Sequence, residues 1–139
     1  MSLELVPLAT MVVELAEPLV LPNTPAGTRV IVEVKSFTVE GERLRGRNKG
    51  TAAADWLTIG PDGTGTLDVR ATIETDDGAV IYVYYQGRRD FSPGMDAPLY
   101  TAPKFETGDE RYAWLNKIQA AAKGTLVENT LTYEIYELR

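Results

Sequence analysis

Residues 67–85 read LDVRATIETDDGAVIYVYY, and this stretch decides the fold. Its first part alternates apolar and polar residues, which is the period-two pattern of a half-buried strand. Its last part is β-branched and aromatic, and Asp76-Asp77-Gly78 between the two parts has the chemistry of a tight hairpin turn. We therefore predict an antiparallel hairpin. Its first strand has an apolar face of Leu67, Val69, Ala71 and Ile73 and a polar face of Asp68, Arg70, Thr72 and Glu74.

The same pattern recurs on both sides of this hairpin. Pro61-Asp62-Gly63 precedes it as a turn signal, and residues 130–138 alternate again after a turn at Glu128-Asn129. Seven to nine short strands without βαβ alternation predict one all-β domain over residues 1–139, either a barrel or a sandwich. In the strand at 28–39, one side is predicted to carry Val30, Val32 and Val34, and the other Ile31, Glu33, Lys35 and Phe37.

One segment of the chain carries helical signals. Thr107 and Glu110 have the spacing of a capping box, and Tyr112 and Leu115 would then lie on one face of the helix. Intrinsic propensity alone would extend this helix through residues 118–123. The sequence therefore predicts one short helix in a chain that is otherwise made of strands.

The 139 residues include no His and no Cys. This absence excludes Ser-His-Asp and Cys-His nucleophilic machinery, disulfides, and the zinc, haem and iron–sulfur sites that need these ligands. We expect no cofactor and no metal, because only all-oxygen metal sites remain and Asp76-Asp77-Gly78 lacks the spacing of an EF-hand. Any catalysis would depend on carboxylates, Tyr, Lys and Arg.

The chain has a formal net charge of −6, from 14 basic and 20 acidic residues. We expect no nucleic-acid partner, because such proteins need a basic face, and the basic stretch at 43–49 is read as a solvated loop. No apolar run reaches the roughly 20 residues of a membrane helix. Residues 1–20 lack a basic leader and a clear cleavage site, so a cytoplasmic protein without a membrane partner is expected.

The polar face of the first hairpin strand is one candidate site. Asp68, Arg70 and Thr72 could line the lumen of a barrel, or they could face solvent as the wet side of an antiparallel sheet. Tyr82 and Tyr84 share a face of the partner strand and could add apolar walls to such a pocket. Tyrosines are also common on ordinary strands, so both interpretations stay open.

Asp55-Trp56 is the second candidate site. A carboxyl group pressed against an indole ring can have a raised pKa and act as a general acid or base. The alternative is that Asp55 caps a turn while Trp56 fills the core. Arg70 and Arg45 could each hold an anionic oxygen with two hydrogen bonds, or form structural ion pairs.

Three blocks of this sequence resemble the family called domain of unknown function 3237. They cover most of residues 28–138 in the order that the family has them, so the combined match is specific. The blocks are GERLRG at 41–46 leading to ADW at 54–56, LDVRATIETDDG at 67–78 leading to AVIY at 79–82, and PKFET at 103–107 leading to RYAWLN at 111–116.

The resemblance implies a single antiparallel β-barrel of about eight strands around a pocket, with one short helix near 108–117. It also implies a strand, rather than a continued helix, over residues 118–123. It favours the interpretation in which Asp68, Arg70 and Thr72 line the lumen of that barrel.

We therefore expect a cofactor-independent acid–base enzyme of the cyclase, isomerase, hydratase or lactone hydrolase type, acting on a small organic acid or ketone in the lumen. The alternatives are a non-catalytic carrier of a small apolar or aromatic ligand and a structural protein. Asp55 is the expected general acid or base, Arg70 the holder of an anionic oxygen, and Tyr82 a hydrogen-bond donor. The expected substrate-binding residues are Arg45, Trp56, Asp68, Thr72, Tyr84 and Trp114.

The segment from Arg88 to Thr101 is long for a connection between strands. Loops of this length often act as lids or as interface arms, and a plain surface loop is the alternative. A homodimer is expected on this basis.

Overall fold

The alternating segments of the sequence form eleven strands and one 3₁₀ helix in a computed structural model that describes all 139 residues. Most strands follow the β-branched and alternating runs, and their ends coincide with Gly, Pro, Asp and Asn residues. The strands are β1 Leu5–Leu15, β2 Leu19–Thr24, β3 Gly27–Glu40, β4 Gly46–Asn48, β5 Ala54–Ile59, β6 Thr64–Thr75, β7 Val80–Asp90, β8 Leu99–Thr101, β9 Lys104–Glu106, β10 Ala120–Val127 and β11 Thr130–Leu138; the helix is Glu110–Lys117.

Eight of these strands close into an antiparallel barrel in the order β6-β5-β3-β1-β11-β10-β8-β7, with β7 pairing back onto β6. Short strands continue the wall: β4 pairs with β3 and β6, β9 pairs with β7, and β2 pairs with β3. Closure removes the unpaired edges that would otherwise recruit other chains. The prediction of an antiparallel barrel of about eight strands with one short helix is confirmed.

The hairpin predicted from residues 67–85 is present as β6 and β7. The two strands pair from Thr64 opposite Asp90 to Glu74 opposite Val80 without a register shift. The turn between them needs Gly78, whose φ of +91° lies in the left-handed region that other side chains avoid.

The segment after the helix is a strand, as the family resemblance implies. Helix propensity alone predicts a continued helix there. Residues 120–127 pair with β11 over their whole length, from Ala120 opposite Glu137 to Val127 opposite Thr130. Sheet pairing therefore overrides the helical preference of the three alanines. The predicted capping box is wrong in detail, because Asp109 caps the helix by accepting a hydrogen bond from the backbone N–H of Arg111.

Strand β3 changes the face that it turns inward. Leu15 pairs with Val34 and Glu14 pairs with Ser36, so Lys35 is an extra residue in this strand. After this bulge the inward set moves by one position, and Phe37 is buried at 2% exposure. The prediction that Phe37 lies on the same side of the strand as Ile31, opposite Val30, Val32 and Val34, is wrong for this reason.

The interior of the barrel receives the apolar face of β6, because Leu67, Val69, Ala71 and Ile73 are all buried. The neighbouring polar side chains point outward, as the pleat of a strand requires. The expectation that Asp68, Arg70 and Thr72 line the lumen is therefore wrong. Apolar side chains fill the interior of the barrel, and these polar ones remain on its outer wall.

The two ends of the interior differ. At the end near the β6–β7 turn, which we call the closed half, tightly buried side chains leave a residual space of about 10 Å³. The 3₁₀ helix covers this end, and the hydroxyl of Tyr112 donates to the Asp77 carboxylate in the turn at 2.9 Å. The most completely buried side chains of this half are Phe37, Val39, Leu44, Ile73, Ile81 and Leu115.

No helix of the structure has the length and apolar character needed to cross a membrane.

Candidate active site

A cavity of about 360 Å³ occupies the other end of the barrel, which we call the open half. Eighteen of its 24 lining residues are hydrophobic, so most of a bound molecule would contact apolar surface. Its apolar walls include Val13, Leu15, Val30, Val32, Val34, Leu57, Ile59, Leu67, Val69, Phe91, Leu99, Leu126 and Leu131.

Seven residues with polar side chains line this apolar cavity, and three of them are Thr28, Glu128 and Asn129. The other four form the candidate site and come from three strands. Asp55 lies on β5, Tyr85 and Arg89 on β7, and Tyr133 on β11. Three of them are almost fully buried, with exposures of 5% for Tyr85, 7% for Arg89 and 2% for Tyr133. Polar groups are costly to bury, so a cluster of them in a cavity is a candidate site rather than ordinary core.

The carboxyl group of Asp55 has a strongly altered acidity. Burial is the largest influence and raises its pKa from 3.8 to about 6. The backbone N–H of Asp68 donates to Asp55 Oδ1 at 3.0 Å, and this hydrogen bond lowers the pKa in part. The negative charge of Asp68 raises it, so the pKa remains high. This bond fixes one oxygen of the carboxyl group against β6.

The two phenol rings form the boundary between the open and closed halves, since both line the space on either side. Their centroids are 5.5 Å apart and the rings meet edge to face. Burial raises the pKa of Tyr85 and of Tyr133 well above its ordinary value, and the nearby charge of Asp55 acts in the same direction. Both hydroxyl groups are protonated at neutral pH, and they lie close enough for each to influence the pKa of the other through a hydrogen bond.

Arg89 lies next to the last residue of β7 and is held there by the loop that follows the strand. One Nη donates to the carbonyl oxygen of Met95, and the guanidinium carbon lies 4.8 Å from the ring centroid of Phe91. That ring packs directly on Gly65, where any Cβ would collide with it. Burial lowers the pKa of Arg89, although arginine stays charged in proteins.

Among the residues expected to form the site, Asp55 is the one that lines the cavity. Asp68, Arg70, Tyr82 and Tyr84 come together elsewhere. They line a shallow groove on the outer wall of the barrel with Lys104, Phe105 and Glu106, which we call the outer groove.

Two more of the expected residues also lie on the outside near this groove. The Trp56 ring is 37% exposed, and the guanidinium carbon of Arg70 lies 5.4 Å from its centroid. Thr72 is paired with Tyr82 on the same outward face. Asp55 and Trp56 are therefore on opposite sides of the wall, as neighbours on a strand must be, and the indole does not desolvate the carboxyl group.

Arg45 and Trp114 lie far from the cavity, toward the closed half. Arg45 is exposed, and its Nε donates to the carbonyl oxygen of Gly41 at 3.0 Å. The Trp114 ring is half-buried beneath the guanidinium group of Arg43, with 4.8 Å between that carbon and the ring centroid. The structure therefore does not bring either residue into a common site with Asp55.

Sequence reasoning missed Tyr85, Arg89 and Tyr133. Each lies at an inward-facing position of its strand. The sequence indicates this, because alternate residues of a strand share a face and the alternate neighbours of these three are mostly apolar. Arg89 lies on the same face of β7 as Ile81 and Val83, and a charged residue on the apolar face of a strand is unusual enough to mark a site. Tyr133 likewise lies between Leu131 and Ile135 on the inward face of β11.

The arrangement combines a carboxyl group that titrates near neutral pH with phenol donors and a buried cation. A carboxyl group of this kind exchanges protons readily with a bound molecule, and fixed donors stabilise a developing negative charge. The structure contains no cluster of three or more acidic side chains of the kind that holds a metal ion.

These features define a class of protein: a small closed β-barrel that is packed at one end and holds an apolar cavity with a partly buried carboxyl group at the other. The chain belongs to the family described as "Protein of unknown function (DUF3237)", whose model matches residues 3–138. The family resemblance read from the sequence is therefore confirmed.

Individual relatives agree with this assignment. A "UPF0311 protein" of Rhodopseudomonas palustris (strain TIE-1) is 35% identical over 103 residues, which span 64% of this chain and 66% of that protein, slightly less than two thirds. A solved "beta-barrel like protein" from Acinetobacter baumannii AYE superposes with a TM-score of 0.90 at 29% identity, covering 100% of this chain and 98% of the other. A structure described as "an enzyme from Penicillium herquei" superposes with a TM-score of 0.74 at 25% identity, covering 99% and 94%.

Proposed function

We propose that the protein is an acid–base enzyme that acts on a small organic acid or ketone bound in the cavity of the open half. The observation that carries this proposal is the Asp55 carboxyl group, which lines an apolar cavity and whose burial raises its pKa to about 6. Groups with a pKa close to the working pH are the most effective general acids and bases.

Asp55 is the group that moves the proton. At neutral pH most Asp55 side chains are ionised and a useful fraction is protonated, so the group can accept a proton from a bound molecule and return it. Because one oxygen is held by the Asp68 N–H, the carboxylate keeps a fixed orientation while it does so.

Tyr85 and Tyr133 are the donors in this proposal. Both phenols are protonated at neutral pH, and both side chains line the same cavity as Asp55. A protonated phenol can donate a hydrogen bond to an oxygen that becomes an enolate or alkoxide as Asp55 removes a proton. Cyclisation, isomerisation, hydration and lactone opening all pass through such a charge.

The relationship to a protein described as an enzyme from Penicillium herquei supports catalysis over mere binding. A second candidate is a carrier of a small apolar or aromatic ligand, and the predominance of hydrophobic residues in the cavity lining favours it. The two candidates differ in one respect: a carrier returns its ligand unchanged.

Proton exchange in D2O with a range of simple carbonyl compounds tests this proposal. The protein is incubated with cyclic ketones, keto acids and aromatic lactones, and proton NMR follows deuterium uptake next to the carbonyl as well as ring opening. We expect Asp55→Asn to slow any accepted reaction by about 100-fold or more, the usual contribution of a general acid or base.

Asp76→Asn is the matched control, because Asp76 is an exposed carboxylate in the β6–β7 turn at the opposite end of the barrel. It should leave the rate unchanged. A wild-type rate in Asp55→Asn would contradict the assigned role. If compounds bind but none exchanges or opens, the carrier is the correct function.

A further inference from the structure

Arg89 is a charged side chain buried without a charged partner. It is 7% exposed, and none of the five ion pairs in the structure includes it. A buried cation without a counter-ion is costly, so most proteins pair such a group or leave it in solvent. The Asp96 carboxylate is close enough to influence Arg89 but makes no ion pair with it.

The hydrogen-bonding capacity of this guanidinium group is largely unused. Of its five N–H donors, one serves the carbonyl oxygen of Met95, and the Nε–H is buried with no acceptor at all. The ring of Phe91 supports the guanidinium through a cation–π contact, which holds the group but accepts no conventional hydrogen bond. The cavity is therefore lined by a fixed, electropositive group whose remaining Nη–H donors have no acceptor in the protein, while the buried Nε–H adds to the cost of leaving the group unpaired.

Only one kind of ligand group complements these donors fully. A planar guanidinium group matches two oxygens of a carboxylate or the oxygen of an enolate or phenolate, and such charge-assisted bonds strengthen in an apolar environment. Asp55 and Glu128 line the same cavity, and their carboxylates disfavour a second anionic group on the ligand. The rest of the lining calls for an apolar body.

We propose that Arg89 is the anion-recognition residue of the cavity and that the ligand is an amphipathic monoanion, with an apolar body and one oxyanion group that takes the free guanidinium donors. This inference rests on the proposed function for the location of the ligand, and it names the substrate class and a specificity-determining residue that the acid–base role of Asp55 does not supply.

Arg89 also has an alternative, purely structural use: its bond to Met95 could simply anchor the loop at 91–98. The two roles differ in what they predict for charged and uncharged ligands of the same shape. An anchor would affect both ligands equally, whereas an anion receptor affects the charged ligand alone.

The test uses two fluorescent probes with the same aromatic skeleton, anilinonaphthalene sulfonate and its uncharged relative N-phenylnaphthylamine. For the wild-type protein we expect the anionic probe to bind about tenfold more tightly, as one charge-assisted contact allows. Arg89→Gln should remove this preference while leaving the affinity for the uncharged probe unchanged, which also reports an intact cavity. Arg89→Lys should keep part of the preference.

The neighbouring Arg88→Gln is the matched control, because Arg88 is exposed and donates to Thr66 on the outer wall. It should preserve both affinities. Equal affinity of the wild-type protein for the two probes would overturn the proposal, and so would an unchanged preference in Arg89→Gln. If Arg89→Gln binds neither probe, the presence of the preference in Arg89→Lys supports the proposal and its absence there overturns it.

Asp55→Asn separates this inference from the proposed catalysis. It should retain the preference for the anionic probe, because the receptor is Arg89. If Asp55→Asn loses catalysis and keeps the preference for the anionic probe, the result concerns the role of Asp55 alone. If Arg89→Gln loses the preference and keeps catalysis, the result concerns the role of Arg89 alone.

Discussion

The two halves of the barrel interior are built from the same long strands and yet differ in how completely side chains fill them. Strands β1, β6, β7 and β11 pass through both halves. In the closed half, side chains from outside the barrel wall complete the packing, and about 10 Å³ of space remains. In the open half no such filling occurs, and about 360 Å³ remains beside the polar cluster of Asp55, Tyr85, Arg89 and Tyr133.

The difference comes from what covers each end. Leu44, from the connection between β3 and β4, and Leu115, from the 3₁₀ helix, are buried to within 1% and fill the closed half. The open half is bordered by valine and leucine side chains of the strands and by the loop carrying Phe91 and Met95. The closed half is thus packed to near completion, whereas the open half gives up packing and leaves an internal space.

Truncation of a large side chain should give the largest difference in stability loss between the two halves. Leu115→Ala leaves a void in a fully packed region, so we expect the free energy of unfolding to fall by about 4 kcal/mol. Leu131→Ala enlarges a cavity that already exists, and we expect a loss of about 2 kcal/mol from the transfer contribution alone. Urea denaturation of both variants measures the difference, and equal losses would contradict the division of the interior.

The next prediction concerns the cost of ionising Asp55. Because the pKa of Asp55 is raised by folding, the folded state holds its proton more tightly than the unfolded state. Stability therefore decreases as pH rises from about 4 to about 6, and above this range the charge costs about 2–3 kcal/mol. Asp55→Asn removes this cost, so it should be more stable than wild type at pH 7 by up to this amount and close to wild type at pH 4.

Chemical denaturation of the wild type and of Asp55→Asn across this pH range checks the sign. A wild-type protein that gains stability relative to Asp55→Asn as pH rises would show that the carboxylate is stabilised by folding, and this would rule out the proposed environment.

Enlargement of a side chain should have a smaller effect on stability, and the closed half should again lose more than the open half. Ala122→Leu forces three extra carbons into the closed half, and we expect a loss of about 2 kcal/mol. Val32→Phe extends into the existing cavity of the open half, so stability should change by less than about 1 kcal/mol while probe binding falls. Thermal denaturation measures the stability of the two variants, and fluorescence titration measures their probe binding. A lower melting temperature for Val32→Phe than for Ala122→Leu would contradict this division of the interior.

Much of the fold was predictable because local signals agree with the barrel. The alternation at 67–75 and the Asp76-Asp77-Gly78 turn fix the β6–β7 hairpin before any tertiary contact is considered. The strand at 120–127 was predictable from the family resemblance and not from propensity, because pairing with β11 decides it. The bulge at Lys35 leaves no sign in the sequence, and it reverses the orientation of Phe37.

The site was predictable only in part. Asp55 belongs to the Asp-Trp pair that the sequence marks as a candidate, although its pKa is raised by the cavity and not by the Trp56 ring. Asp68, Arg70 and Thr72 are polar groups of the kind that suits a binding site, but closure of the barrel turns the apolar face of β6 inward and leaves them outside. Arg89 and Tyr133 come from distant strands that meet only in the closed structure.

The proposed chemistry depends above all on the state of the Asp55 carboxyl group in the open half. Carbon-13 NMR of protein labelled at the Asp side-chain carboxyl group, titrated over pH and assigned by the signal missing from Asp55→Asn, measures its pKa directly. We predict a pKa of about 6, well above the 3.8 of an exposed Asp. A pKa near 4 would show that the carboxyl group is solvated, and it would contradict both the buried site and the acid–base role.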